Sequence, residues 1–250
     1  MAIKEIHSVY PISWILESPV FVNFMKASSS RGNDEILVAD FASGEHDRVP
    51  SFFISILPKL LKLGEAARET FVYSIDLHSL RLDSLLGKLE ESHLLDRSRV
   101  VQAKLETMDQ SAIMRPGMIE YIEEHLDTAI WLDDFLIGEN KLPPNCFDIG
   151  VLNNDVVGYM HEYYKSYSDV DVGVQKVLNS IREDGLLVVT LPCSLYLVDN
   201  IAVLEKVGFS YLEGVDVDLS TEEITLLDRR TDPKTMSRLG HYTALFFSAR

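Results

Sequence analysis

Two carboxylates in this chain stand where a carboxylate can act on a bound ligand. Asp40 heads the run Asp40-Phe-Ala-Ser-Gly44, and Asp76 closes Phe71-Val-Tyr-Ser-Ile-Asp76. The small residues Ala42, Ser43 and Gly44 let a ligand come close to the backbone, and Gly44 can adopt positive φ without strain. Asp76, with two acceptor oxygens, can take both hydroxyls of a ribose, which is the task of an acid at this place in dinucleotide folds. A third polar group follows a later apolar run: Leu152-Asn-Asn-Asp155, then Gly158-Tyr-Met-His161. In one reading Asn153, Asp155, Tyr159 or His161 orients a substrate or accepts its proton. In the other, Asn153 and Asp155 cap the next helix, as Asn and Asp commonly do, while Tyr159 and His161 pack on its faces.

Strand ends have to carry these residues. Glu35 to Asp40 is an apolar run of strand length, followed by Phe53, Ile56, Leu57, Leu60 and Leu61 at helical spacing. The same grammar repeats: Phe71 to Asp76 reads as a second strand, followed by a helix through Leu80, Leu82, Leu85, Leu86 and Leu89. Arg99 to Leu105, Phe147 to Leu152 and Gly185 to Leu191 give three more strands. A helix at Val172 to Ile181 precedes the last of these, and a short helix at Ile201 to Val207 follows it. Between the third and fourth strands the pattern breaks, leaving a helix at Met118 to Leu126 and a loop ending Leu142-Pro-Pro-Asn145. Two final strands, Phe209 to Leu219 and His241 to Ser248, flank the charged stretch Thr221 to Arg238 with no full helix between them, so they should pair antiparallel at one edge. Strands alternating with helices imply a parallel sheet covered on both faces. Ahead of it, Tyr10, Trp14, Ile15, Phe21 and Phe24 suggest a helical cap over residues 1–34, with Tyr10 and Trp14 either core or a lid.

At 250 residues the chain can build one large α/β domain. A hydrophobic fraction of 46% beside 25% charged residues predicts a soluble cytoplasmic protein, and no apolar run reaches membrane-helix length. Glu5 and His7 interrupt any export-signal core. The net charge of −16 repels phosphate backbones and argues against a nucleic-acid partner. Its best basic cluster, Arg229, Arg230, Lys234 and Arg238, reads as a solvated loop. Cys146 and Cys193 lack nearby ligand partners and read as reduced structural thiols; His7, His78, His93, His125 and His241 stand equally alone, so no metal is expected. Glu45, His46 and Asp47 could meet a ligand carboxylate or a metal, or simply open a helix.

Order and spacing together resemble the class I S-adenosylmethionine-dependent methyltransferase family. Asp40 matches the acid of its first motif, Ala42 stands at the first glycine of that motif and Gly44 at the second. Asp76 matches the ribose-binding acid, Phe147-Asp148 is similar to the start of strand four, Ile181 to Val189 resembles the turn into strand five, and Glu205 to Phe209 resembles the junction into strand six. The resemblance covers the chain from about Glu35 onward. It implies an α/β fold, a three-layer Rossmann-like sandwich whose seven-stranded, mostly parallel sheet has order 3-2-1-4-5-7-6 with an antiparallel C-terminal hairpin strand. The expected division is residues 1–34 as cap and 35–250 as the methyltransferase-like domain, with an insert at about 107–146.

The resemblance also implies S-adenosylmethionine as cofactor, bound by Asp40, Ala42, Ser43, Gly44, Asp76, Leu77, Leu105, Glu106 and Asn153, with Asn153, Asp155 and His161 as catalytic candidates. The implied reaction is methyl transfer to a small-molecule acceptor. Lys104 stands near the position of the family's strand-three acid, Glu106 lies two residues on, and Asp133-Asp134 is an alternative source of that acid. Absence of prolines after Asn153-Asn154-Asp155 argues against transfer to an exocyclic amine. The competing expectation, motivated by Ala42 and Lys104, is a catalytically inactive domain of this kind serving as a ligand-binding or protein-interaction subunit. Homo-oligomerisation is left open. A nicotinamide oxidoreductase would need Gly-x-Gly-x-x-Gly, which the run Ala42 to Asp47 does not provide, and no phosphate-loop signature is present.

Overall fold

The computed structural model describes residues 3–29, 35–63, 69–114, 142–163, 167–192, 197–228 and 239–249. The chain begins with α1 (Ile3–Val9), a 3-10 turn (Pro11–Glu17) and α2 (Pro19–Ser29). Strand β1 (Glu35–Phe41) leads into α3, one continuous helical stretch made of Arg48–Ser51, a π-helical turn Phe52–Ile56 and Leu57–Leu60. Then come β2 (Glu69–Asp76), α4 (Ser79–Glu91), β3 (Ser98–Gln102) and β4 (Ile113–Met114). The second half contains β5 (Phe147–Leu152), α5 (Val156–Tyr163), α6 (Tyr167–Ser180), β6 (Ile181–Leu191), α7 (Leu197–Val207), β7 (Ser210–Asp218), β8 (Ile224–Leu227) and β9 (His241–Ser248).

The nine strands among the described residues form one sheet of order β4-β3-β2-β1-β5-β6-β9-β7-β8. Without the two short outer strands this is the expected order 3-2-1-4-5-7-6. Its parallel pairs run β3-β2-β1-β5-β6, and β9 is antiparallel to both β6 and β7. The departures are at the edges. β4 pairs antiparallel with β3, and β8 pairs antiparallel with β7 inside a stretch whose charge argued for loop. β3 stops at Gln102 rather than Leu105, because Leu105–Thr107 turns into a 3-10 helix. The expected helix at 118–126 lies outside the described residues, as do Asp133-Asp134, Cys193 and the basic residues 229–238.

Side chains alternate between two faces along each strand, the period-two rule of a pleated sheet. In β1, Leu37, Ala39 and Phe41 face one core and Ile36 and Val38 the other. The first core is closed by α5, α6 and α7 through residues such as Val157, Val174 and Leu204. The second is closed by α3, α4 and the N-terminal turns, with Phe53, Leu82, Leu85, Leu89, Trp14 and Phe21 buried there. Leu82, Leu85 and Leu89 recur at helical spacing, which puts one apolar stripe of α4 on the sheet. Burying each such side chain is worth about 1.5 to 3 kcal/mol. Strands covered on both sides therefore read as continuous apolar runs.

The N-terminal segment is tied to the far half of the sheet: Glu213 Oε1 in β7 accepts the Val20 N–H at 3.1 Å and the Ser18 hydroxyl. Trp14 is 8% exposed and stacks on His7 at 3.6 Å between ring centres, so it is core rather than lid. β5 is fixed to β1 by the buried Asp148 carboxylate, which accepts the Leu37 N–H at 2.7 Å and pairs with Arg182 at 2.5 Å. Strand order reverses between β1 and β5, since β2 and β3 extend one way and β6 onward the other. In open α/β sheets a ligand binds beyond the carboxyl ends of the strands at such a point.

Candidate functional site

A cavity of about 460 Å³ opens at the carboxyl ends of β1, β2, β3 and β5. That volume suits a cofactor-sized ligand. Hydrogen bonds join its walls. Ser43 N–H donates to Ile75 O at 3.0 Å, and Ala103 N–H to Asp76 O at 3.0 Å, linking the β1 loop to β2 and the end of β3 to β2. The Asp76 carboxylate completes this frame: Oδ2 accepts the Gly44 N–H at 2.9 Å and Oδ1 accepts the His78 N–H at 2.8 Å. An ionised carboxylate has about four acceptor positions, so capacity for two ligand hydroxyls remains.

The β1 loop turns through two left-handed residues, Ala42 at φ 57° and Gly44 at φ 68°. A side chain at Gly44 would meet no atom within 4 Å, so glycine is favoured there by backbone conformation and not by crowding. Ala42 holds the same conformation at a steric cost of about 1 to 2 kcal/mol. Beneath the loop lies Asp40, 1% exposed, whose Oδ1 has no hydrogen-bond partner among the described residues. Burial, reinforced by the nearby Asp76 charge, raises its pKa well above the usual carboxylate range.

The β5 loop also uses left-handed residues, Asn154 at φ 65° and Asp155 at φ 58°, but here three polar groups bond within the fold. Asn153 Oδ1 accepts the Thr190 hydroxyl at 2.7 Å, and Thr190 Oγ1 accepts the Asn154 N–H at 3.0 Å. Asp155 Oδ1 accepts the Gly158 N–H at 3.2 Å and the Asn200 amide at 2.8 Å. Asp155 is thus the N-cap of α5. A side chain at Gly158 would fall 2.4 Å from the Asp155 carboxylate, so the glycine makes room for this cap. Burial raises the Asp155 pKa, opposed by the Asn200 and Gly158 hydrogen bonds.

Of the residues expected at a cofactor site, Ala42, Ser43, Gly44, Asp76, Leu77, Leu105 and Asn153 line the cavity. Asp40 and Glu106 stand outside the lining, Asp40 below the loop and Glu106 in the 3-10 turn after β3. Among the catalytic candidates only Asn153 lines it; Asp155 and His161 do not. His46 lines it too, while Asp47 is structural, its Oδ2 accepting the Ser51 and Ser92 hydroxyls at 2.9 Å each. Sequence reasoning did not single out Arg48 and Arg81, read His78 only as a histidine without ligand partners, and took Lys104 only as a departure from the family pattern, yet all four face the cavity. All four lie within a few residues of a strand end, the one signal that could have flagged them. The Cys146 thiol is reduced, donates toward Pro143 O at 3.2 Å and has its pKa pushed up by burial.

With this geometry in place, two solved structures are informative. One is a S-adenosylmethionine-dependent methyltransferase from Clostridium acetobutylicum, at TM-score 0.50 and 11% identity, the match covering 94% of this chain and 89% of that one. The other is the [4+2]-cyclase SpnF, at TM-score 0.50 and 10% identity, covering 92% and 80%. The fold is the Rossmann-like methyltransferase fold. At such identities the likeness is one of architecture, and the pair itself shows that this architecture hosts more than one chemistry. No family model matches the sequence, and no curated protein matches it.

Proposed function

We propose that the chain is a S-adenosylmethionine-dependent methyltransferase acting on a small-molecule acceptor. One observation carries the reading: the Asp76 carboxylate and the left-handed Ala42–Gly44 loop are hydrogen-bonded to each other and open onto one cavity at the strand-order reversal. The residues fit such a cofactor. Asp76 has acceptor capacity for ribose hydroxyls, Leu77 and Leu105 offer apolar wall to a base, and the loop backbone admits close approach.

The cofactor, when bound, supplies an electrophilic methyl group. The protein's contribution is positional: Asp76 and the β1 loop hold one reactant while the rest of the cavity, with Asn153, Tyr159 and Met160 on the β5 side and the open mouth, confines the other. Orientation of this kind can lower a barrier by about 7 to 11 kcal/mol without a dedicated acid or base. Asp155, engaged by Gly158 and Asn200, serves the scaffold in this reading, and Asn153 orients rather than deprotonates. An acceptor that must lose a proton to react passes it to solvent. Residues 1–34 act as a cap on the second core, and the protein works in the cytoplasm. No helix among the described residues is long and apolar enough to cross a membrane.

Incubation with methyl-labelled S-adenosylmethionine and a small-molecule extract tests the reading. Label should appear in a low-mass product, with S-adenosylhomocysteine formed in equal amount. Production of S-adenosylhomocysteine no faster than in the protein-free control refutes methyl transfer.

A further inference from the structure

The charge of the cavity mouth runs against that of the chain. Acidic residues outnumber basic ones 39 to 23 overall, yet among the described residues the cavity is lined by Arg48, Arg81 and Lys104 against one carboxylate, Asp76. The three cations come from separate elements: the first turn of α3, the first turn of α4 and the residue pair following β3. None makes an ion pair or side-chain hydrogen bond with another described residue, whereas Lys88, Lys176 and Lys206 all have partners. Asp76, one charge that also accepts two backbone amides, cannot balance three cations. His46 and His78 at the same mouth add no negative charge.

S-adenosylmethionine leaves this imbalance in place. It has one carboxylate, which can neutralise one cation, and it brings a sulfonium and an ammonium of its own. A cavity filled by it alone would gather positive charge, and water screens that repulsion only in part inside a cleft. We propose that the methyl acceptor carries an oxyanion, phosphate or carboxylate, held at the mouth by Arg48, Arg81 and Lys104. This rests on the methyltransferase reading of the same site. Two guanidinium forks can each take an oxyanion bidentately, and an ammonium adds a point charge. Since each ligand offsets the charge of the other, cofactor and acceptor bind with positive, reciprocal coupling.

Calorimetric titration of S-adenosylmethionine and S-adenosylhomocysteine, with and without an anion at matched ionic strength, tests this. Pyrophosphate and citrate serve as probes, and their relative effect distinguishes a phosphate from a carboxylate acceptor. The expected result is tighter S-adenosylmethionine binding with one probe than with chloride. The gain should fall roughly threefold for each of Arg48→Gln, Arg81→Gln and Lys104→Gln, and by roughly thirtyfold in the triple variant. These side chains are exposed, so unchanged melting temperatures will show that the variants fold. If S-adenosylmethionine binds but neither anion alters its affinity, the oxyanion assignment is overturned and the methyltransferase reading stands. If a probe binds at the three cations while neither cofactor form binds at all, the methyltransferase reading falls and the acceptor assignment with it.

Discussion

The loops after β1 and β5 stand side by side at the strand-order reversal, and each turns through two left-handed residues. Their side chains do opposite things. After β1 the residues are small, the backbone faces a cavity, and the one carboxylate brought to it, Asp76, stands at the cavity wall. After β5 the Asn153 Oδ1, the Asn154 backbone N–H and the Asp155 carboxylate find partners inside the fold, on Thr190, Gly158 and Asn200, although Asn153 and Asn154 also border the cavity. The same backbone device thus builds a receptor in one place and a rigid corner in the other. A polar residue at a strand end is a candidate for ligand chemistry only when its hydrogen-bonding capacity is not spent on its own loop.

The largest expected effect comes from the receptor side. Asp76→Ala should weaken cofactor binding by about 1.5 to 3 kcal/mol, the range for charge-assisted hydrogen bonds, and loosen the loop by stranding the Gly44 and His78 amides. Calorimetry on a variant that still folds checks it, and unchanged affinity would remove Asp76 from the site. On the corner side, Asp155→Ala should cost about 1 to 2 kcal/mol in urea denaturation through loss of the cap. Cofactor affinity should then hold within about twofold; a collapse of affinity with stability intact would erase the contrast between the loops.

Asp40 sharpens the comparison through pH. Its folded pKa lies above the unfolded carboxyl value of about 4, so its protonated form favours the fold. That contribution is full below the unfolded value and is lost as pH rises through the folded one. Asp40→Asn stays neutral throughout. The stability difference between variant and parent should therefore move in favour of the variant as pH rises from about 4 toward neutrality, measured by urea midpoints. A pH-independent difference would mean that burial leaves the Asp40 pKa at its unfolded value. Smallest is Ala42→Gly: relief of left-handed strain is partly offset by greater freedom of the unfolded chain, leaving a gain under about 1 kcal/mol. A loss of more than that would show that the methyl group packs against something.

What the sequence disclosed follows from where the physics is local. β1, β2, β5 and β6 are buried on both faces, so their apolar runs are unmistakable and their order carries the topology. A cap was one of two readings open for Asp155, because Asp before a helix is a local signal, while its bonds to Gly158 and Asn200 come from the fold. β8 was not, since Ile224, Thr225 and Leu226 are exposed and charged neighbours hide so short a strand. Leu105 extended the apolar run of β3 by pattern while its backbone had already turned. The gathering of the mouth cations escaped notice for a different reason. Arg48, Arg81 and Lys104 are unremarkable in their own segments, and only the sheet order gathers them around one cavity.

Calorimetric titration of S-adenosylhomocysteine into the purified chain tests the central claim most directly. A saturable heat, lost or sharply weakened in Asp76→Ala, is the result predicted for a cofactor cradle built from Asp76 and the Ala42–Gly44 loop. No heat and no change in melting temperature at millimolar ligand, for either cofactor form, would contradict it.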